Sequence, residues 1–141
     1  MEDYLCLERN WQDDYFFALK VTAKSESVAA VTSVYSVDEC IDSLSRGLDA
    51  FLAGDIDSYL WENGKKGDGS TTFVSLEFLR KDTLGHIQVE VYMELNDGGC
   101  FSKHNCCFYV QTELGLLERF NKSLPRLKEP QLGKKVILND F

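Results

Sequence analysis

Hydrophobic positions along this 141-residue chain switch between two spacings, and the switches mark out its elements. Residues 14–23 alternate, with Phe17, Leu19 and Val21 on one side and Phe16, Ala18, Lys20 and Thr22 on the other. Spacing of two predicts a half-buried strand. Residues 4–7 (Tyr-Leu-Cys-Leu) open an earlier strand. Residues 27–35, rich in small and β-branched types, predict a partner joined through the polar turn Lys24-Ser25-Glu26. The spacing then becomes helical: Val37, Ile41, Leu44, Leu48, Phe51 and Leu52 share a stripe, with Cys40 beside it. Ser36 and Glu39 stand at capping-box separation, and Gly54 is a natural stop. The opposite face carries Asp38, Asp42, Ser45, Arg46 and Asp49.

The glycine-rich stretch 62–70 reads as a mobile loop. Residues 72–80 predict a strand, and a short hairpin link leads into 86–95, which alternates throughout. There Ile87, Val89, Val91, Met93 and Leu95 should face the core, leaving His86, Gln88, Glu90, Tyr92 and Glu94 on an open face. The turn Asn96-Asp97-Gly98-Gly99 precedes a strand over 100–110, with Phe101, Cys106, Phe108 and Val110 as its core positions. Thr112 is placed to cap a second helix, whose inner stripe is Leu114, Leu117, Phe120, Asn121 and Leu124 and which Pro125 ends or bends. Val136, Ile137 and Leu138 add an edge strand. The order predicts an α+β fold in one domain over 1–141: two layers, a mainly antiparallel sheet of five to seven strands, and two helices packed on one face.

Composition fits this picture: 44% hydrophobic and 27% charged residues with 2 prolines describe a packed globule. No apolar run is long enough for a membrane helix, and the acidic opening residues 1–9 do not read as a signal peptide. A net charge of −8 repels phosphate backbones and anionic membranes, which excludes nucleic acid and membrane as partners, and it attracts basic proteins. The charge is unevenly placed. Residues 38–62 hold seven acids against Arg46, and residues 119–135 hold six bases against Glu129. Either the two stretches face one another or the acidic one is a docking surface. The 5 cysteines, an odd number, read as reduced thiols in a cytoplasmic protein.

Candidate chemistry is thin. Cys100, His104, Cys106 and Cys107 are the one group of soft ligands. Along a strand Cys100, His104 and Cys106 share a face but span about 20 Å, too far to meet one ion without a bend. His104 and Cys106 would stand near ~6.5 Å apart, too long for proton transfer. Gly64, Gly67 and Gly69 with Lys65, Lys66 and Ser70 resemble a phosphate cradle, but no lysine directly follows the last glycine as a P-loop requires. No metal, no cofactor and no catalytic residue is expected.

The segment 108–127, FYVQTELGLLERFNKSLPRL, joins an apolar strand through Gln111-Thr112 to an amphipathic helix carrying Leu114, Leu117, Phe120 and Leu124. With the upstream helix and the strand pair over 72–95, it resembles the C-terminal half of the WapI-type immunity proteins of bacterial polymorphic toxin systems. The chain departs from that pattern at Val110, where an acidic residue is usual, and at Cys106-Cys107. The resemblance implies a small cytoplasmic protein that neutralises a toxin by binding it, without catalysis. The expected contact residues are the acids Asp38, Asp42, Asp49, Asp55 and Asp57, or the open strand face with His86, Glu90, Tyr92 and Glu94. A basic toxin domain is the expected partner. The competing expectation is a small structural or accessory domain that self-associates through the open sheet face, with a metal-binding protein behind it.

Overall fold

A computed structural model describes residues 3–69, 71–95 and 104–139. The chain runs β1 (Tyr4–Gln12), β2 (Phe17–Lys24), β3 (Ala29–Ser36), α1 (Asp38–Leu52), β4 (Ser58–Asn63), β5 (Phe73–Arg80), β6 (His86–Glu94), β7 (Asn105–Glu113), α2 (Leu114–Ser123), a 3-10 helix (Leu124–Lys128) and β8 (Lys135–Leu138). The α+β class and the antiparallel pairing are as the hydrophobic pattern predicts. The strands divide, however, between two sheets of four, ordered β3-β2-β1-β8 and β4-β5-β6-β7, where one sheet of five to seven was expected. Each half of the chain is a meander followed by a helix, and β8 returns from the second half to pair with β1. The expected core position Phe101 and the turn 96–99 lie outside the described residues.

One hydrophobic cluster runs through both sheets and both helices. Sheet one contributes Leu5, Leu7, Leu19, Val21 and Val136; sheet two contributes Leu76, Phe78, Ile87, Val89 and Val110. The helices pack on each other, α1 against β4 and α2 against β7 and β8. The α1 stripe Ile41, Leu44, Leu48 and Phe51 is wholly inside, and each such side chain contributes about 1.5–3 kcal/mol. Gly47 is required where α1 meets β4, because a Cβ there would land inside the Tyr59 ring. That ring stacks on Phe78 and donates its hydroxyl to the Ser43 carbonyl at 2.9 Å.

Two asparagines explain why the sheets stay separate yet touch. At one seam, Asn63 at the end of β4 accepts the Ser36 hydroxyl (2.8 Å) and donates to the Tyr35 carbonyl (2.8 Å). Thr72 donates to the next outward-facing carbonyl of β3, that of Ser33. Side chains thus occupy acceptors on the free edge of β3 that a further strand would otherwise take. At the other seam, Asn139, with φ +65°, accepts the Thr112 hydroxyl (2.6 Å) and donates to the carbonyls of Asp3 (2.9 Å) and Gln111 (2.8 Å). Asparagine suits that backbone because it tolerates the left-handed region better than most residues. A third asparagine, Asn121, clamps the helices: it accepts from Ser45 (3.1 Å) and donates to Asp49 (2.7 Å).

These bonds overturn both expected caps. Ser36 ends β3, Val37 occupies the cap position of α1, and no side chain caps that helix. Likewise β7 runs through Thr112 to Glu113, which stands uncapped before α2. Each hydroxyl goes to an asparagine 27 positions away, because that partner completes a pair wholly or partly shielded from water whereas a helix-end N–H can reach it.

Asn63→Ala should therefore destabilise the fold by about 1–3 kcal/mol in urea unfolding, since it strands the buried Ser36 hydroxyl and the Tyr35 carbonyl together. A loss under about 0.3 kcal/mol would show that the seam is held by apolar packing alone.

Candidate functional site

The outward side of the second sheet is open, and its register decides what it presents. Leu60, Glu77, Glu90 and Tyr109 lie in one row across β4 to β7, beside the row Glu62, Ser75, Tyr92 and Cys107. Glu77 and Glu90 are therefore direct cross-strand neighbours. In that arrangement Cβ atoms stand about 4.5–5.5 Å apart and like charges destabilise the pair. Among the described residues no lysine or arginine forms an ion pair with Glu62, Glu77 or Glu90. The Tyr109 hydroxyl donates to Glu90 (2.9 Å), and this bond pushes the phenol's ionisation up. The neighbouring Cys107 thiol is likewise pushed up, by burial first and then by the Glu90 charge.

Glu94 departs from the expected pattern. Alternation placed it outward with Glu90, but it is 1% exposed. Both of its oxygens accept the Gly67 N–H (3.1 and 3.0 Å), and one accepts the Tyr92 hydroxyl (2.7 Å). The loop over 64–69 folds across the end of β6, so a segment expected to be mobile is pinned there by a carboxylate. The amide that gave the loop its likeness to a phosphate cradle holds the chain's own anion. Lys66 lies 4.6 Å above the Tyr92 ring. Desolvation, then the Glu94 bond, pushes the Tyr92 phenol from its ordinary 10.0 up to about 12.

The remaining predicted residues scatter. His86 stands at the far end of β6 and pairs with Asp82 (2.6 Å), a bond that holds the Asp82 carboxyl below its ordinary range. On α1, Asp42 is paired with Lys128 (2.8 Å) and Asp49 accepts from Asn121, so the acidic and basic stretches do face one another at these two positions. The Asp42 contact raises the Lys128 ammonium. Asp38 stays exposed in the first turn of α1, as do Asp55 and Asp57 in the turn after it. Cys100 lies outside the described residues, and among the described residues no group of three or more His, Cys, Asp or Glu is arranged to hold a metal ion. Burial pushes the thiols of Cys6 and Cys106 up, away from the thiolate that nucleophilic chemistry needs.

A second exposed feature has no counterpart in the sequence reading. In β1, Leu5, Leu7 and Arg9 point inward, and Trp11 would continue that parity. A bulge between Arg9 and Trp11 shifts the register, so Trp11 pairs with Ala18 on the outer face. Tyr35 flanks Ala18 from β3. Phe16 closes the group, its ring 4.9 Å from Tyr35 and 5.8 Å from Trp11. Trp11 and Tyr35 remain 44% and 65% exposed, while the small Ala18 is covered beneath them. Beside this aromatic group, Asp13, Asp14, Asp38 and Glu39 line a cavity of about 250 Å³. The cluster's only sequence signal was an unusual density of aromatics around a short turn.

Comparison with known protein families, with characterised proteins and with solved structures returns no match. Among the described residues no helix is long and apolar enough to cross a membrane.

Two measurements probe this face in the free protein. Glu77→Gln should raise stability by about 0.2–1 kcal/mol in urea, the gain shrinking as salt is added. An unchanged or lowered midpoint would mean that the chain itself satisfies Glu77. Tyr92 holds its proton more tightly folded than unfolded, so its contribution is present below pH 10.0 and is lost as pH rises toward about 12. Alkaline titration of phenolate absorbance should show a late transition that Tyr92→Phe removes.

Proposed function

We propose that this is a non-catalytic cytoplasmic binding protein of the immunity type, which neutralises a toxin by docking an acidic surface on a basic domain of that toxin. One observation carries the reading: Glu77 and Glu90 stand side by side on an open sheet face, and among the described residues neither forms an ion pair with a lysine or arginine. A fold selected for stability alone gains by replacing either carboxylate. A surface that meets a positive partner gains by keeping both, because opposite fields speed encounter and suppress wrong partners. Tyr109 and Tyr92 on the same face supply the broad, rigid contact area that binding hot spots favour. The likeness of 108–127 to WapI-type immunity proteins supports the same reading, since that segment includes most of β7, the edge of this face.

The exposed Trp11, Phe16 and Tyr35 rings favour one other reading, a structural or accessory domain that self-associates through the first sheet. Two acidic second sheets would repel each other, so self-association would use the aromatic side.

The partner to test is the C-terminal domain of any large secreted protein that an adjacent gene encodes. Against it, the double reversal Glu77→Lys with Glu90→Lys should slow association at least tenfold at low salt, and by less at high salt. Tight binding with unchanged on-rates would reject the acidic face as the contact. A free protein that light scattering shows to be dimeric, and that becomes monomeric on Trp11→Ala, would favour the accessory domain.

A further inference from the structure

The six bases of residues 119–135 sort into two groups. Lys122 pairs with Glu118 (3.5 Å), Lys128 with Asp42 (2.8 Å) and Lys134 with Glu129 (3.0 Å). Arg119, Arg126 and Lys135 form no ion pair among the described residues. These same three line a single cavity of about 330 Å³, together with Leu116, Ser123 and Ile137.

The placement follows from the elements. Leu116, Arg119 and Ser123 recur at helical spacing along one flank of α2, about a quarter turn round from its buried Leu117 and Phe120. On β8, Val136 and Leu138 enter the core, so alternation turns Lys135 and Ile137 outward. Arg126 comes from the 3-10 helix between them. The carboxylate nearest in the strand register is Glu8, opposite Lys135 on β1, and Glu8 also faces Lys20 on its other side. Three cations thus gather around a concavity in a chain whose net charge is −8.

We propose that this cavity binds a small molecule bearing a tetrahedral oxyanion, either inorganic phosphate or a phosphate monoester. Two guanidinium forks offer paired N–H donors that match phosphate oxygens, and the ammonium adds a point charge. Leu116 and Ile137 provide apolar wall for an uncharged substituent. The volume stands at the lower end of ligand pockets, about 300–1,000 Å³, which suits a small metabolite. A nucleic acid is disfavoured because its extended phosphates would meet the acidic faces elsewhere. This site uses none of the residues invoked for partner binding and stands whether or not that reading does.

Titration of the full chain with inorganic phosphate and with phenyl phosphate, at constant ionic strength against chloride, tests the proposal. Saturable amide shifts localised to α2 and β8 are expected in nuclear magnetic resonance spectra, with a rise in melting temperature. Tighter binding of phenyl phosphate identifies a monoester site, and equal binding identifies inorganic phosphate. Arg126→Gln and Lys135→Gln, both at exposed positions, should each weaken binding about tenfold. Lys122→Gln, paired outside the cavity, should leave binding unchanged and so reports on general charge. Absence of saturation, equal shifts with chloride, or an equal loss in Lys122→Gln would each overturn the proposal.

Discussion

Each sheet of this fold has one apolar face, and neither helix can bury its stripe alone, so all four must share a single interior. That sharing is the constraint from which the rest follows. Two meanders brought face to face leave free edges on both sides, and free edges carry unpaired backbone groups. The chain meets them with short polar side chains. Asn63 joins β4 to β3, and Asn139 joins the end of β8 to β7, each by accepting a hydroxyl and donating to a backbone carbonyl. An amide side chain suits this task because it offers an acceptor and two donors on one short stem. The sheets are consequently stitched without merging, and their outer faces stay open.

Those outer faces differ in chemistry. The second sheet shows carboxylates and tyrosines, with Glu77 and Glu90 in direct opposition. The first shows an aromatic group at one end, created by a bulge that turns Trp11 outward. Acids that the sequence grouped together take different roles in space: Asp42 and Asp49 hold the C-terminal segment in place, Glu94 anchors a loop, and Glu90 stays half-exposed beside Tyr109. Net charge therefore overstates what any one surface offers a partner. What remains after internal pairing is a smaller and better-defined acidic row.

The basic stretch divides by the same logic. Lysines that reach a carboxylate are spent on the fold, and the arginines and lysine that do not reach one converge on a cavity between α2 and β8. In both stretches, the groups left over by the structure are better guides to binding than the local density of charge.

How far the sequence could be read depended on the range of the interaction. Alternation at Ile87, Val89, Val91 and Met93 and the helical stripe at Ile41, Leu44, Leu48 and Phe51 were legible, because backbone geometry alone sets those spacings. The α+β class and the antiparallel pairing followed from them. The Ser36 and Thr112 hydroxyls, the Glu94 carboxylate and the Trp11 ring were not legible. The two hydroxyls and the carboxylate had sound local patterns, but partners 27 positions away competed successfully for them, Asn63 for Ser36, Asn139 for Thr112 and Gly67 for Glu94, while Trp11 was turned outward by a bulge that its own strand pairing imposes. Sequence by itself determined which residues turn toward a core and the sign of the overall charge. Only the tertiary structure decided how many sheets share that core, which polar groups are consumed within it and which stay exposed, because each long-range hydrogen bond forms only after the packing has brought its two ends together.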